Sequence, residues 1–465
     1  MINIVVIMLD SLRPDYLGCG GNKVVKTPNI DKVAEDGIFF ENAYAEYPIT
    51  IPSRTALVSG NYTFTNRPWC PLKEEDLHIA EILRDNGYIT ASFADSPFMG
   101  FGMDRGFDVF EIFPMGKCHK PLGDIKKKFP PCYYPPHVED ISEKKFYPNT
   151  MKNYFYSLKK FGKACPELLF DSAVEWIKKN KKRPFFIWID SFEPHEPWCP
   201  PPPYNMLYQD KPPKRYIPFP IGPSSKWMTK DDIKHVLSLY MGDITHTDEQ
   251  VGKVINTINE LGLEKDTMVI IISDHGEPFG EHGTIRKYGV PLYDELSKMV
   301  FIIKKPGLIK PGRREKAFVM NIDLLPTITD LLKIDLGPII KKLPIKPVKE
   351  TYNRVDGESL VPILIGKKKE IRDTIYLGGF ALRAGIRKGK WKFIDHHGEK
   401  PNELFNLEDD PKEKINLIKD KKDLAKELHY ELWKFCSKWS AALSWRDKPV
   451  TTVRDGKIIK KIKIW

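Results

Sequence analysis

The sequence predicts an α/β fold: a large mixed, mostly parallel β-sheet sandwiched by helices, plus a smaller C-terminal α+β domain with an antiparallel sheet. Two observations lead to this prediction. Apolar runs typical of buried strands alternate with amphipathic segments of helical period, which is typical of a parallel sheet covered on both faces. A Lys- and Pro-rich connection near 337–355 then precedes a strand-rich remainder. In a chain of 465 residues we therefore predict domains at 1–345 and 346–465.

The individual helices and strands follow from local signals. The run INIVVIML at 2–9 predicts the first strand, because it is apolar apart from Asn3 and carries no basic leader or cleavage site. Thr27 as cap, Pro28 and Gly37 mark the start and stop of a helix. Segment 373–399 predicts strands around a Lys-Gly turn. The remaining predicted elements are helices at 76–87, 229–261 and 423–435 and strands at 88–94, 185–190 and 268–273.

Charge and composition narrow the class of protein. Lys plus Arg is 73 and Asp plus Glu is 62, a net charge of +11 that suits a small anionic substrate. No basic and aromatic motif of a nucleic-acid reader is present, and no run approaches the roughly 20 apolar residues of a membrane span. The seven scattered Cys residues predict mostly free thiols and a cytoplasmic protein. Abundant Lys, Glu and Pro with little Gln indicate a thermophilic source. Whether copies of the chain form a homo-oligomer stays open.

Polar residues follow three predicted strands at their carboxyl ends, where ligands of parallel sheets bind. Asp10 follows the first strand, the cluster from Asp190 to His195 follows another, and Asp274 and His275 follow a third. Carboxylates joined by an imidazole at one sheet edge form a suitable site for a divalent metal. A helix cap and a structural imidazole explain the Asp-His pair equally well, so both interpretations stay open at this point.

Thr50 lies in the stretch ITIPSRTALVSG, just before a Pro that fits the first turn of a helix. The free N–H groups of such a turn bind anions, which would place the Thr50 hydroxyl near bound negative charge. The same hydroxyl could also complete the metal site. Thr is also a common N-cap, and these residues alone favour the cap.

Six motifs occur in order between residues 5 and 417. They are VVIMLDSLRPDYLGCGG, IPSRTALVSGNY, DSFEPHEPW, SDHGEPFGEHGTIRK, MNIDLLPTITDLL and ELFNLEDDPKEKINL. In this order they resemble the motifs of the sulfatase family of the alkaline phosphatase superfamily. The resemblance covers nearly the whole chain, and six motifs in the same order do not arise by chance.

The resemblance implies a role for each matching residue. Asp10, Asp274 and His275 would be ligands of one divalent metal ion, Mn, Zn or Ca, and Thr50 would be the nucleophile coordinated to it. By the same resemblance Arg54 would orient and stabilise the nucleophile, while His195 and Lys287 would contact the anionic group and assist the leaving group. These roles agree with the physics of metal-assisted nucleophilic attack on an anion.

The chain departs from the family at three places. Ser11 stands where many members have a second metal-binding Asp, and Asp95 and Ser96 stand where a Lys and a His are usual. Thr50 replaces the Cys or Ser that sulfatases convert to formylglycine, so no formylglycine is expected. An ester of an unmodified hydroxyl must be broken by water, which phosphoryl intermediates allow and sulfuryl ones resist. In having a Thr at this position, the chain resembles two other groups of the superfamily, the nucleotide pyrophosphatase/phosphodiesterases and the phosphoethanolamine transferases.

The favoured function is therefore hydrolysis of a phosphodiester, phosphonate or phosphate ester. The alternatives are a sulfuric ester hydrolase and a catalytically inactive binding protein. A single-metal site is favoured over a site with a second set of metal ligands. Asp243 and His246 are expected to face solvent, Asp248 to make a structural contact, and His396 and His397 to lie on the surface, whereas His282 is either a ligand or structural.

Two Pro-rich insertions, roughly 97–148 and 197–223, interrupt the alternation of strands and helices. Both directly follow strand ends, which suggests that they form walls of a substrate cleft. Packing loops without a function explain them equally well.

Overall fold

The larger sheet of the protein, seen in a computed structural model, contains eight strands in the order β4-β3-β5-β1-β6-β7-β2-β8. Neighbouring strands pair in parallel, except that β7 is antiparallel to both β6 and β2. The predicted mixed, mostly parallel sheet is thus confirmed. The strands are β1 (Asn3–Leu9), β2 (Ile38–Tyr44), β3 (Ile89–Ala94), β4 (Val109–Ile112), β5 (Phe185–Ser191), β6 (Thr267–Ile272), β7 (Phe301–Lys304) and β8 (Arg313–Met320).

The structure describes most of the chain. The predicted domain boundary at 345/346 and most of the first Pro-rich insertion lie outside the described residues. These are 1–65, 70–100, 102–113, 162–211, 213–217, 219–220, 227–287, 292–341, 355–379, 383–437, 450–454 and 457–462.

Helices cover both faces of the sheet. Along β1, Ile4, Val6 and Met8 belong to one buried apolar cluster and the alternate residues Val5 and Ile7 to another on the opposite face. A strand buried on both faces reads as a continuous apolar run, which is why its sequence shows no polar alternation. The helices are α1 (Pro28–Glu35), α2 (Thr50–Ser59), α3 (Ile79–Asp85), α4 (Cys165–Asn180), α5 (Lys230–Glu260), α6 (Asp294–Ser297), α7 (Leu324–Leu331), α8 (Gly337–Ile340), α9 (Val361–Leu364) and α10 (Lys422–Ser437).

The long helix α5 has the start that its sequence predicts. Thr229 is the N-cap; its hydroxyl accepts a hydrogen bond from the Asp232 amide at 3.2 Å, and the Asp232 carboxylate accepts one from the Thr229 amide at 2.7 Å. This reciprocal pair is a capping box. The helix packs against α1 and α4, so that much of its circumference is covered.

A separate four-stranded antiparallel sheet, in the order β12-β11-β10-β9, follows the larger one. It carries α10, and together they confirm the predicted small antiparallel sheet with a helix. Its apolar side chains, such as Leu377 and Phe393, share a buried cluster with Tyr44 and Met320 of the larger sheet. The strands are β9 (Thr374–Gly378), β10 (Ala384–Lys388), β11 (Trp391–Asp395) and β12 (Glu403–Asn406), and a further hairpin comprises β13 (Val450–Arg454) and β14 (Lys457–Ile462).

The sequence predicted that the chain has no membrane-spanning segment and that its cysteines are mostly free thiols. Within the described ranges, no helix combines the length and the apolar character that a membrane crossing requires. The cysteines that the structure describes are free thiols, as predicted: Cys19, Cys70, Cys165, Cys199 and Cys436.

The order of the central strands positions the site. β5, β1 and β6 are neighbours and all run parallel, so their carboxyl ends meet at one edge of the sheet. Met8 of β1 pairs with Asp190 on one side and with Ile272 on the other. The residues that follow these strands are therefore brought together, although they are far apart in sequence.

Candidate active site and metal centre

Asp10, Asp274 and His275 meet at this edge of the sheet. Each offers a ligand atom, and the three atoms lie within 4.8 Å of one another. All three side chains are fully buried. The structure therefore brings together the three residues that the sequence predicted as metal ligands.

Arg54, from the first turns of α2, is surrounded by carboxylates. Its Nη1 lies 3.0 Å from Asp10 Oδ2 and 2.5 Å from Asp274 Oδ2, and its Nε and Nη2 bind both oxygens of Asp190 at 3.1 and 2.7 Å. When the three carboxylates are ionised, one guanidinium leaves two negative charges without a cationic partner. Unpaired buried charge is costly, and a divalent cation would remove that cost.

The donor set fits such an ion. Burial, together with the nearby positive charge of Lys287, lowers the pKa of His275 to about 3, so its imidazole is neutral near pH 7. Its Nδ1 lies 2.7 Å from the carbonyl oxygen of Gly276 and donates to it, which leaves the lone pair on Nε2 facing the carboxylates. A neutral imidazole whose other nitrogen is held by a carbonyl is the usual form of a histidine metal ligand. One oxygen of Asp10, Oδ2, lacks a partner of hydrogen-bonding geometry.

Ser11 does not replace the missing carboxylate but orients the two that are present. Its hydroxyl donates to Asp10 Oδ1 at 2.9 Å, and its amide donates to Asp274 Oδ1 at 3.0 Å. Its backbone adopts a φ of 63°, which is unfavourable for a non-glycine residue, and its carbonyl accepts a hydrogen bond from the Tyr240 hydroxyl at 2.9 Å. Strained backbone of this kind persists where surrounding contacts enforce it, often at functional sites.

Thr50 is not the helix cap that its local sequence favours. Ile49, in an extended conformation, occupies the cap position, and Thr50 is the first helical residue. Its buried hydroxyl lies 3.5 Å from His275 Nε2, at the edge of hydrogen-bond distance. Ser53, one turn away, fixes α2 against the site because its hydroxyl donates to the Asp274 carbonyl at 2.7 Å. The helix start therefore points the Thr50 hydroxyl at the carboxylate and imidazole cluster.

His195 and Lys287 form a buried pair. Lys287 Nζ lies 2.8 Å from His195 Nε2, and His195 Nδ1 lies 2.5 Å from the carbonyl oxygen of Glu196. Burial lowers the pKa of His195 to about 4, with the charges of Glu196 and Asp10 acting in the opposite direction. The charge of Asp10 raises the pKa of His195, and the charge of Lys287 lowers the pKa of His275. The His195–Lys287 pair therefore lies within electrostatic reach of the carboxylate cluster.

Sequence reasoning assigned no role to four buried residues of this site. Asp190 binds Arg54, Glu277 Oε2 lies 3.3 Å from Lys287 Nζ, and Arg286 donates to Glu196. Burial raises the pKa of Glu277 to about 8. Burial also raises the pKa of Glu196, but His195, Lys287 and Arg286 outweigh it and hold that pKa below its usual range. Asp190 was detectable as a carboxylate at a strand end, whereas nothing in the sequence distinguishes the other three.

The expectation that Asp243 and His246 face solvent is wrong. Both are buried, because α4 and the segment 193–204 cover this side of the helix that carries them. His246 Nδ1 lies 3.3 Å from Glu193 Oε2, and its Nε2 lies 3.6 Å from Glu167 Oε1. The structural contact expected of Asp248 is confirmed, since its carboxylate accepts hydrogen bonds from the amides of residues 29 and 30 at 3.1 and 2.8 Å.

The two remaining histidine predictions have different outcomes. His282 stacks on Tyr293 with ring centroids 3.6 Å apart, and its Nδ1 lies 2.5 Å from Glu295 Oε1, which supports the structural interpretation. His396 is fully buried and contacts Glu403 Oε2 at 2.8 Å, so the prediction of a surface position is wrong for it. A charged partner inside the small sheet makes burial of this imidazole favourable.

Comparisons with known proteins agree with this fold. The family model described as sulfatase matches residues 2–334, and the model described as N-sulphoglucosamine sulphohydrolase, C-terminal, matches residues 280–438. The chain is 26% identical over 468 aligned residues to an arylsulfatase of Clostridium perfringens, covering 90% of each chain.

Two solved structures share the fold. The phosphonate monoester hydrolase of Agrobacterium radiobacter superposes with a TM-score of 0.72 at 22% identity and covers 98% of both chains. A structure solved in complex with its substrate D-glucosamine-2-N,6-O-disulfate superposes with a TM-score of 0.68 at 20% identity, covering 94% of this chain and 98% of that one. Since the first family model spans well over half of the sequence, the chain belongs to the sulfatase family of ester hydrolases, within the alkaline phosphatase superfamily.

Proposed function

We propose that this protein hydrolyses a small phosphodiester, phosphonate monoester or phosphate ester, with Thr50 as the nucleophile. The observation that carries the proposal is the position of the Thr50 hydroxyl, 3.5 Å from His275 Nε2 and beside two buried carboxylates. A Thr side chain offers a hydroxyl nucleophile, and phosphoryl esters of hydroxyls are opened by water. The fold shared with a phosphonate monoester hydrolase supports this substrate class.

Asp10, Asp274 and His275 would hold one divalent metal ion, with Thr50 beside it. When bound, such an ion lowers the pKa of a coordinated hydroxyl and screens its approach to an anion. Mixed nitrogen and oxygen ligation favours Mn or Zn, whereas Ca prefers oxygen ligands only.

Each side chain of the site then has its own role in the reaction. The Thr50 hydroxyl gives its proton to solvent, Thr50 Oγ1 attacks phosphorus, and the bond from phosphorus to the leaving oxygen breaks. The phosphoryl or phosphonyl ester of Thr50 that remains is hydrolysed by water. Arg54 holds Asp10 and Asp274 through the contacts described above and adds positive charge beside the nucleophile. Lys287 contacts the anionic group and its ammonium supplies the proton that the departing oxygen needs, while His195 beside it orients that ammonium through Nε2.

Asp95 supports a substrate of single negative charge. It stands where the family usually has a cation, it is buried, and burial raises the pKa of its carboxyl well above the usual range. Its Oδ1 accepts a hydrogen bond from the Phe192 amide at 2.6 Å, which places it next to the loop that carries His195. A site without that cation binds a dianion less strongly, so a diester or phosphonate monoester is favoured.

Sulfuric ester hydrolysis is the second candidate. The match to an arylsulfatase and to the sulfatase family supports it, and the His195–Lys287 pair is equally suited to a sulfate group. An inactive protein that retains the fold and the metal is the third.

A substrate panel separates the three candidates. The purified protein is assayed with p-nitrophenyl sulfate, p-nitrophenyl phosphate, bis(p-nitrophenyl) phosphate and p-nitrophenyl phenylphosphonate, each with Mn, Zn, Ca or Mg. We expect the highest kcat/KM with the diester or the phosphonate. A preference for the sulfate would favour the second candidate, and metal binding without activity on any ester would favour the third.

A further inference from the structure

A second layer of charged residues lies behind the His195–Lys287 pair. Glu196 is buried, and its Oε2 lies 3.2 Å from His195 Nδ1 and 3.5 Å from Lys287 Nζ. Its other oxygen, Oε1, accepts a hydrogen bond from Arg286 Nε at 2.8 Å. One carboxylate is therefore within reach of both members of the pair and of a second cation.

Arg286 is held firmly in this position. Its guanidinium lies over the Phe219 ring at 4.0 Å from the centroid, and its Nη1 donates to the Pro220 carbonyl at 3.0 Å. The backbone of Arg286 has a φ of 70°, an unfavourable value for a non-glycine residue. This conformation lets the consecutive residues Arg286 and Lys287 both reach buried acidic partners, and strain of this kind persists only where contacts enforce it.

We propose that Arg286 is a positioning residue that keeps the Lys287 ammonium on His195 Nε2 and available to the anionic group of the substrate. The inference rests on the proposed roles of His195 and Lys287. Arg286 occupies the Glu196 carboxylate, which would otherwise attract the nearby ammonium. The backbone carbonyl of Glu196, which substitution of its side chain retains, holds His195 from the Nδ1 side.

The geometry also fixes the tautomer of His195. A protonated Lys287 can only donate, so His195 Nε2 accepts and the ring proton lies on Nδ1, where it is donated to the Glu196 carbonyl. Without Arg286, Lys287 is the nearby cation that can still move onto the Glu196 carboxylate. The ammonium then moves toward Glu196, and Nε2 loses its donor.

The test compares Arg286→Gln, Arg286→Lys, Glu196→Gln and the double variant Arg286→Gln/Glu196→Gln, each loaded with the metal that activates the parent. We expect Arg286→Gln to lower kcat/KM by about 10- to 100-fold, the usual range for groups that orient site residues. The loss should be larger for phenyl than for p-nitrophenyl phenylphosphonate, because the poorer leaving group depends more on Lys287. Arg286→Lys, which keeps the cation, and the double variant, which removes the competing carboxylate, should each recover most of the loss.

Arg314→Gln is the matched control. Arg314 also contacts an aromatic ring, a carboxylate and a carbonyl, those of Phe39, Glu41 and Cys19, but it is half exposed and lies outside the site. We expect its kcat/KM to equal that of the parent. If Arg286→Gln does not fold, Arg286→Met, which keeps packing against Phe219, takes its place.

A second readout does not depend on activity. The Nε2 resonance of His195, assigned with His195→Gln in protein labelled with ¹⁵N-histidine, should shift in Arg286→Gln and return toward its parent value in the double variant. An unchanged resonance, or a double variant as impaired as Arg286→Gln, would overturn the proposal. If the parent hydrolyses none of the esters while the resonance behaves as expected, the proposed function fails and the positioning role stands.

Discussion

At the scale of single residues, Thr50 is the position on which the proposed chemistry depends. Its local sequence favours a cap, yet the extended Ile49 takes that place and the Thr50 hydroxyl turns to His275. A cap depends on one residue's backbone angles, and the sequence pattern of a helix start leaves that residue uncertain by one position. The convergence of Asp10, Asp274 and His275 was predictable, because it follows from which strands precede them.

Thr50→Ala should lower kcat on the best phosphoester by orders of magnitude, because it removes the attacking oxygen. Thr50→Ser, which keeps a hydroxyl, should retain most of the activity. Thermal unfolding of both variants should stay close to that of the parent, since no capping hydrogen bond is lost. Steady-state kinetics and calorimetry check this, and full activity of Thr50→Ala would exclude the nucleophile role.

Thr50→Cys restores the signature that a formylglycine-generating enzyme recognises in the family. Co-expression with that enzyme should produce the aldehyde, which intact-mass analysis detects, and p-nitrophenyl sulfate hydrolysis should then rise well above that of the parent. The same variant made without the enzyme is the control. An aldehyde-bearing protein without sulfatase activity would show that the pocket does not support sulfate transfer.

Asp10→Ala and Asp274→Ala should each abolish stoichiometric metal binding and activity, because each removes a carboxylate of the only ligand cluster found among the described residues. Neither change removes an apolar core side chain, so the circular dichroism spectrum should stay that of the folded protein. Elemental analysis of the purified variants gives the metal content. Full metal content in either variant would mean that the site lies elsewhere.

At the scale of elements, the apolar periodicity of α5 predicted its existence and its bounds but not its surroundings. A hydrophobic pattern shows which face of a helix is buried, and it does not show that a second neighbour covers the polar face as well. On the side that carries Asp243 and His246, α4 and the segment 193–204 exclude solvent, and Glu167 and Glu193 contact the His246 ring in its place. Burial of polar residues was therefore the least predictable property of this helix.

Because of His246, the free energy of unfolding should decrease at alkaline pH. Burial lowers its pKa, but hydrogen bonds and charge from Glu167 and Glu193 outweigh burial and raise the pKa to about 9, above the unfolded value of 6.5. The folded state therefore binds the proton more tightly, and the resulting stability is fully present below about pH 6.5 and is lost as the pH rises through 9. The shift corresponds to about 3 kcal/mol.

Urea unfolding of the parent and of His246→Gln at pH 6 and pH 9.5 measures this contribution. The difference in free energy of unfolding between the two proteins should be large at pH 6 and should shrink at pH 9.5. An equal difference at both pH values would show that the imidazole is not protonated in the folded protein.

At the scale of the whole molecule, a buried lysine joins the small sheet to the larger domain. Lys392 of β11 is fully buried, and its Nζ contacts Asp294 Oδ1 of α6 at 2.7 Å and Glu413 Oε1 at 2.9 Å. The composition of the connection near 337–355 predicted that a second unit follows, but a single lysine within a strand gives no signal of a contact between the two sheets. Such long-range pairs are visible only once the chain is folded.

Lys392→Met should destabilise the protein by about 3 to 5 kcal/mol, because it removes the close cation of the buried Glu413 carboxylate and the nearest cation of Asp294. Lys390→Met, in the preceding turn and half exposed, is the matched control and should change stability by less than about 0.5 kcal/mol. Denaturant unfolding followed by tryptophan fluorescence measures both. A loss for Lys392→Met no greater than that of the control would mean that the contact between the sheets does not stabilise the fold.

The strand order that assembles the site also constrains how the chain reaches its native state. Ser11 and Asp274, joined by a hydrogen bond, are separated by 263 positions in sequence, and β6 must pair with β1 before the carboxylates of Asp10 and Asp274 meet. Contacts between such distant segments close large loops and form late, since the entropy of closure must be overcome first. We therefore expect a bound ion to stabilise the native state and to slow unfolding more than it speeds folding.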